Sequence, residues 1–235
     1  MALAIAHRGD PHAHPENTLP AILAAAGQGA DMVEIDLRLT KDEEVVVLHD
    51  STLRRVWNRD VALRELTLDD VATVWSGSYQ VPTLHQVLSS IDVPLMVDLP
   101  DRAAAVPVAK LVREHRALDR CLFVTGDIEA LLEIREFSPD ARIGLSWAQP
   151  ELPDPTVLKA LHAEFFNPAW EVLQLHENVV AGMHDGGYQV SIWTVDSPTN
   201  MARLLAMGVD AIVTNRLSFL VDLLAPARRV ASATA

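Results

Sequence analysis

The chain of 235 residues has one cysteine, three lysines and no apolar run approaching the ~20 residues of a membrane span. Each shortage excludes something. A lone Cys121 cannot form a disulfide within the chain, and its setting (Cys121-Leu122-Phe123-Val124) reads as a buried structural thiol. With so little lysine and a net charge of −13, nothing resembles the basic stripe of a nucleic-acid surface. The apolar stretch at residues 2–6 is too short for a signal peptide and lacks a basic flank, so a cytoplasmic protein without a membrane anchor is expected. No basic amphipathic helix suggests a membrane surface. Nor does a glycine-rich turn follow a strand and open a helix: Gly27-Gln28-Gly29 is a helix stop, not a nucleotide loop. His12 and His14 form an H-x-H without a third histidine or a cysteine at zinc spacing, which makes them a solvated loop.

What is present is an ordinary globular composition, 49% hydrophobic and 22% charged, able to bury a real core. Strand-like runs fall at residues 3–6, 32–37, 95–99, 122–125, 142–145, 164–167, 190–193 and 211–214, with helix-like segments between them. Among those helices, one is expected over 102–116, one over 173–185 and the last over 217–224, followed by a frayed tail at 228–235. Eight strands alternating with helices predict an α/β fold, a (β/α)₈ TIM barrel in preference to an open doubly wound sheet. An extra short strand at 45–48 and an insertion at about 51–82 follow the second strand. The segments Gly29-Ala30-Asp31-Met32-Val33 and Gly208-Val209-Asp210-Ala211-Ile212 share a helix-stop, turn and strand-start grammar, as repeated αβ units would. No Pro- or Ser-rich linker divides the chain, so residues 1–235 are expected to form one domain.

Residues 31–50, DMVEIDLRLTKDEEVVVLHD, hold the densest chemistry. On a strand, side chains alternate faces, so Glu34 and Asp36 share one face and Val33, Ile35 and Leu37 the other. Two buried carboxylates that close are costly unless a proton, an arginine or a metal ion compensates them. Taken alone, the pair reads equally well as exposed acids on a half-solvated strand. The barrel plan shifts the balance, because chemistry gathers where strands end. His7-Arg8 closes the first strand, Asp98 the third, Trp193 the seventh and Thr214-Asn215 the eighth, while His49-Asp50 closes the extra strand. Trp57, Trp75, Trp147 and Trp170 read by default as packing.

The segments AHRG (6–9), PENT (15–18), VEIDLRLTKDEEVVVLHD (33–50), VPTLHQVL (81–88), VSIWTVD (190–196) and MGVDAIVTN (207–215) resemble the glycerophosphodiester phosphodiesterases over nearly the whole length. That family shares its barrel plan with bacterial phosphatidylinositol-specific phospholipases C. The resemblance implies metal-dependent hydrolysis of glycerophosphodiesters to sn-glycerol 3-phosphate and an alcohol, with a small-molecule phosphodiester as partner. It implies His7 and His49 as the acid–base pair, and Glu34, Asp36 and Asp98 as ligands of one divalent cation, Mg²⁺ or Ca²⁺, suited to an all-oxygen set. It further implies Arg8 as the phosphate contact, Trp193 as an aromatic wall, and Glu16 and Asn17 as a pair ordering the first loop. Asp50 is expected to orient His49 or nearby backbone. Attack by water and attack by the substrate's own hydroxyl both fit these residues.

Two departures stand out. Asp98-Leu99-Pro100 replaces the family's Glu-x-Lys, removing a cation beside the phosphate; Arg38 and Arg102 are the candidates to compensate. Thr214-Asn215 stands where relatives usually have Thr-Asp. The missing lysine keeps two further readings open: a weakly active or non-catalytic phosphoester-binding barrel, and a related phospholipase or lyase acting on lipid phosphodiesters.

Overall fold

In the computed structural model, which describes residues 1–176 and 178–233, eight short apolar runs form parallel strands. They are β1 (Leu3–His7), β2 (Met32–Leu39), β3 (Leu95–Asp98), β4 (Cys121–Thr125), β5 (Arg142–Trp147), β6 (Phe165–Pro168), β7 (Gln189–Ile192) and β8 (Ala211–Thr214). Each pairs with the next, and β1 pairs with both β2 and β8, so the sheet closes into a (β/α)₈ TIM barrel. Buried on both faces, the strands carry nearly continuous Val, Ile, Leu and Phe, as parallel strands must. Ile5, Met32, Met96, Leu122, Phe165 and Val213 fill the lumen. Ile35, Leu37, Phe123 and Phe166 face outward into the larger core beneath the helices. Each such side chain contributes about 1.5–3 kcal/mol by leaving water.

The helices start where their capping residues dictate. Thr18 accepts from the Ala21 N–H to open helix Leu19–Gly27. Thr83 and Gln86 form a reciprocal capping box on helix Leu84–Ser90. The repeated turn grammar has a physical basis, since Gly29 and Gly208 both leave their helices at positive φ, +88° and +84°.

Three helical expectations need correction. The helix expected over 102–116 begins as a 3₁₀ turn, Arg102–Ala104, before the α-helix Ala105–Glu114. The one expected over 173–185 is two helices, Trp170–Leu175 and Val179–Asp185. His176 breaks it at φ −133°, ψ 82°, with its ring bonded to the Pro150 carbonyl. The final helix runs Leu217–Ala233, so the tail expected to fray from 228 is helical through Ala233. Buried Leu220 and Leu224, together with an Arg228–Asp31 ion pair, hold it to the barrel despite Pro226 within it. Residues 234–235 of that tail lie outside the described residues.

After β2 the chain reverses through strand Val45–Val47, which pairs antiparallel with β2 (Leu37↔Val47). The insertion beyond it contains helices Arg54–Trp57 and Leu68–Ala72 and a small hairpin, Trp75–Ser76 with Tyr79–Gln80. It packs its own core from Val46, Leu48, Leu53, Trp57, Leu63 and Val71. Trp57 anchors the short helix that carries Arg55.

Candidate active site

Sheet register assembles the centre of the site. In the parallel pairing His7 lies beside Glu34, and Asp36 beside Asp98. Paired residues point to the same side, so β1, β2 and β3 deliver an imidazole and three carboxylates to one end of the lumen. A one-residue slip in any of the three would turn its group away. The reversal after β2 returns the chain to the same level: Leu48 N–H donates to the Asp36 carbonyl, and His49 follows. Arg38 fixes that turn by donating from Nε to the His49 carbonyl at 2.7 Å.

His7, Arg8, Glu34, Asp36, His49, Asp98 and Trp193 thus line one cavity of about 400 Å³. Glu16, Asn17 and Asp50 stand one contact behind it. Glu16 accepts from Arg8 Nη1 at 2.8 Å, Asn17 donates from Nδ2 to Asp36 Oδ2 at 2.7 Å, and Asp50 Oδ1 meets His49 Nδ1 at 2.7 Å. Every site residue expected from the sequence is therefore at the cavity or in contact with a residue that is.

The first loop holds its shape under strain. Arg8 and Asn17 both sit at φ 57°, a left-handed conformation that costs a non-glycine residue about 1–2 kcal/mol. The Arg8 N–H is held by Glu34, through backbone oxygen and carboxylate, each at 2.9 Å, and Asn17 N–H donates back to the Arg8 carbonyl. Gly9 lies against helix Leu19–Gly27 so closely that a Cβ would meet the Ala21 carbonyl carbon at 2.5 Å. That contact explains in steric terms why glycine follows His7 and Arg8.

Charge in the cavity does not balance by itself. Glu34, Asp36 and Asp98 offer oxygens all within 4.8 Å of one another. Burial, then the charges of Asp36 and Asp98, push the Glu34 carboxyl well above the usual range. Burial and Asp36 likewise raise Asp98 to about 7. Against the trio stands Arg8, whose Nε is 3.1 Å from Asp36 Oδ2 but makes no hydrogen bond there, so the contact is Coulombic. Burial opposes the Arg8 charge, yet Asp36, Glu34 and Glu16 outweigh it and hold the guanidinium protonated. With all three carboxylates ionised, one arginine would leave two negative charges uncompensated, and the raised Glu34 and Asp98 show protons favoured there in the absence of another cation. A divalent cation fits that deficit and the all-oxygen donor set.

Both imidazoles are fixed by their Nδ1 side. Asn215 donates from Nδ2 to Asp196 Oδ2, so its Oδ1 faces His7 Nδ1 at 2.8 Å and must accept. His7 therefore carries its proton on Nδ1 and leaves Nε2 free, 3.9 Å from Glu34 Oε2. Burial, then the Arg8 charge, lowers the His7 imidazole below its ordinary value, so it is neutral at pH 7. Asp50 is held ionised at about 2, chiefly by the hydrogen bond from Arg55. An ionised carboxylate only accepts, so His49 donates to it from Nδ1, which leaves Nε2 as the nitrogen not engaged by Asp50.

This combination of a carboxylate trio, an arginine and two imidazoles sharing a tautomer matches the sequence resemblance, and comparison with known proteins decides the family. The model of the glycerophosphoryl diester phosphodiesterase family matches residues 7–218. The chain belongs to this family. A glycerophosphodiester phosphodiesterase of Caldanaerobacter subterraneus subsp. tengcongensis is 30% identical over 237 residues, covering 94% of this chain and 97% of the relative. One from Bacillus altitudinis is 26% identical and covers 92% and 95%. Among solved structures, a phosphodiesterase of Oleispira antarctica in complex with the product sn-glycerol-3-phosphate superposes with a TM-score of 0.85. It is 23% identical, covering 93% of this chain and 94% of its own. A putative glycerophosphodiester phosphodiesterase of Galdieria sulphuraria reaches a TM-score of 0.87 at 20% identity, covering 96% and 98%.

Some family features fall elsewhere than expected. Pro100 lines the cavity, and Arg38, without lining it, is near enough for its charge to act on Asp98. Arg102 pairs with Glu133 outside the cavity, and Arg38 works from behind His49. Among the described residues lining the cavity, Arg8 is the one arginine or lysine. Trp147, read from the sequence as packing, does pack against the core and also lines the cavity with Trp193. Each indole N–H is satisfied by backbone, Trp147 on Glu151 and Trp193 on Asn167, which fixes the rings in place. Arg55 was not legible as a site residue at all.

Proposed function

We propose that this enzyme hydrolyses glycerophosphodiesters to sn-glycerol 3-phosphate and an alcohol with the aid of one divalent cation, Mg²⁺ or Ca²⁺. The observation that carries the reading is the meeting, in one cavity, of two imidazoles with free Nε2 atoms, Arg8 and a carboxylate trio short of positive charge. Arg8 binds a non-bridging phosphate oxygen. Glu34, Asp36 and Asp98 would hold the cation, which would supply positive charge to stabilise the negative charge developing on the phosphate. His7, neutral and with Nε2 free, takes the proton from the attacking oxygen. His49, entering the step as the imidazolium, delivers its Nε2 proton to the departing alkoxide, while Asp50 holds the Nδ1 proton, orients the ring and balances its charge. Trp147 and Trp193 wall off the organic part of the substrate and exclude water from that side.

The family's usual relatives act on this substrate class by name, and the Oleispira antarctica structure holds the same product. Burial raises the lone thiol of Cys121 to about 12, which makes it an unreactive structural group. No helix among the described residues is long and apolar enough to cross a membrane. Purified protein given Mg²⁺ or Ca²⁺ should release sn-glycerol 3-phosphate from glycerophosphocholine, and a chelator should suppress that release at least 100-fold. Unchanged turnover in chelator would remove the cation from the proposal. No turnover with any divalent ion, but tight binding of glycerol phosphate, would favour the non-catalytic barrel.

A further inference from the structure

Arg55 projects from the insertion helix Arg54–Trp57, and all three of its guanidinium nitrogens are engaged. Nη1 and Nη2 donate to the two oxygens of Glu16, each at 2.7 Å, and Nε donates to Asp50 Oδ2 at 2.7 Å. Each of those carboxylates has a second partner in the site. Glu16 also accepts from Arg8 Nη1 at 2.8 Å, and Asp50 also holds His49 Nδ1 at 2.7 Å. A single contiguous chain, Arg8–Glu16–Arg55–Asp50–His49, therefore joins the first loop of the barrel to the reversal after β2.

An isolated ion pair on a surface contributes little, and Arg55 is about half exposed. This one differs in geometry. A bidentate fork on Glu16 fixes the plane of the guanidinium, and the plane in turn fixes where Nε meets Asp50. The helix carrying it is held by Trp57, buried in the insertion's own core. Neither end of the chain has an equal substitute. Arg38 grips the His49 backbone but not its ring, and Asn17 holds the Asp36 carboxylate and the Arg8 carbonyl but not the Arg8 guanidinium.

We propose that Arg55 is a positioning residue that couples the phosphate-binding arginine to the second imidazole, so that the insertion completes the site. The proposal rests on the roles given above to Arg8 and His49. Its test uses the full-length protein with Mg²⁺, glycerophosphocholine as substrate, and ¹⁵N-histidine NMR of the His49 ring. Arg55→Ala should lower kcat/KM about 10- to 100-fold, the scale of loss when a reacting group drifts by about 1 Å. Most of the loss should lie in kcat, since His49 acts on the leaving group, with a smaller rise in KM through Arg8. Arg55→Lys keeps the charge but not the fork, and should recover less than half of the lost kcat on a logarithmic scale. Added guanidinium should restore activity to Arg55→Ala and not to wild type. At a pH where the His49 ring is neutral, the spectrum of Arg55→Ala should show a mixture of tautomers where wild type has the Nδ1–H form alone.

Arg55→Ala with wild-type kcat and an unchanged His49 spectrum would overturn the proposal while leaving the phosphodiesterase reading intact. Full recovery in Arg55→Lys would overturn it too, reducing the residue to a diffuse charge. If wild type fails to turn over any glycerophosphodiester but Arg55→Ala still scrambles the His49 tautomer, the functional reading fails and the positioning role stands.

Discussion

Behind His7 stands an amide, Asn215, itself held by Asp196; behind His49 stands a carboxylate, Asp50, itself held by Arg55. Both arrangements leave Nε2 free, but they suit different work. The His7 side is buried, rigid and tied to β8, and its partner has no charge with which to favour an imidazolium. The His49 side is more exposed, depends on the insertion, and sets a full negative charge behind the ring. In the proposed mechanism, a neutral imidazole ready to accept a proton would serve as the base and one supported while it carries a proton as the acid. The site thus separates two chemically identical side chains by what is placed behind them.

The sharpest way to break this comparison is to remove each imidazole against two leaving groups. His7→Ala and His49→Ala should each cost about 10²–10⁴ in kcat on glycerophosphocholine, the usual contribution of an acid or base. On a p-nitrophenyl phosphodiester, whose leaving group departs without a proton, His49→Ala should recover most of its rate and His7→Ala should not. Recovery by His7→Ala instead would exchange the two roles. Recovery by neither would mean that His49 does more than protonate.

A smaller effect follows from the partners. Asp50→Ala removes both the tautomer lock and the charge, and should cost about 10²-fold in kcat. Asn215→Ala removes only a tautomer lock, and a loss of about tenfold is expected. Steady-state kinetics at saturating Mg²⁺ would measure both. Equal losses would erase the distinction between charged and neutral support.

How much of this was legible in the sequence varied with what set each feature. The barrel was readable because each strand is a short apolar run bounded by helix stops, and the two glycine turns at Gly29 and Gly208 behave alike. The carboxylate trio was readable in part because period-two alternation puts Glu34 and Asp36 on one face whatever surrounds them. Its third member, Asp98, depends on the register of β2 against β3, which strand spacing does not reveal. Asn215 could be seen as a departure from the family pattern, but its meaning required knowing that Asp196 turns the amide. Trp147 read as packing because an isolated tryptophan gives no sign of which way it faces; its position near the end of β5 was the usable clue. Arg55 gave no signal. It lies in an irregular stretch without periodicity, and its reach to Glu16 spans 39 residues of sequence. The break at His176 was invisible because apolar spacing continues on both sides of it.

The smallest expected effect concerns acid stability and separates the two sides without any substrate. Burial alone would raise Glu16, but the hydrogen bonds from Arg55 and the charge of Arg8 overcome it and hold the carboxyl at about 2, against an ordinary 4.5. A folded value below the unfolded one means that the stabilisation is complete above about pH 5 and fades as pH falls toward 2. At face value that is about 3 kcal/mol; solvent around Arg55 reduces it to about 1–2 kcal/mol. Glu16→Gln should therefore be less stable than wild type in urea at pH 7, and the gap should shrink by more than half by about pH 3. Asn215 has no proton to gain, so the His7 side offers no equivalent at that position. A Glu16→Gln deficit that stays constant from pH 7 to pH 3 would mean that packing rather than charge holds the His49 side together, and the contrast between the two imidazoles would then rest on geometry alone.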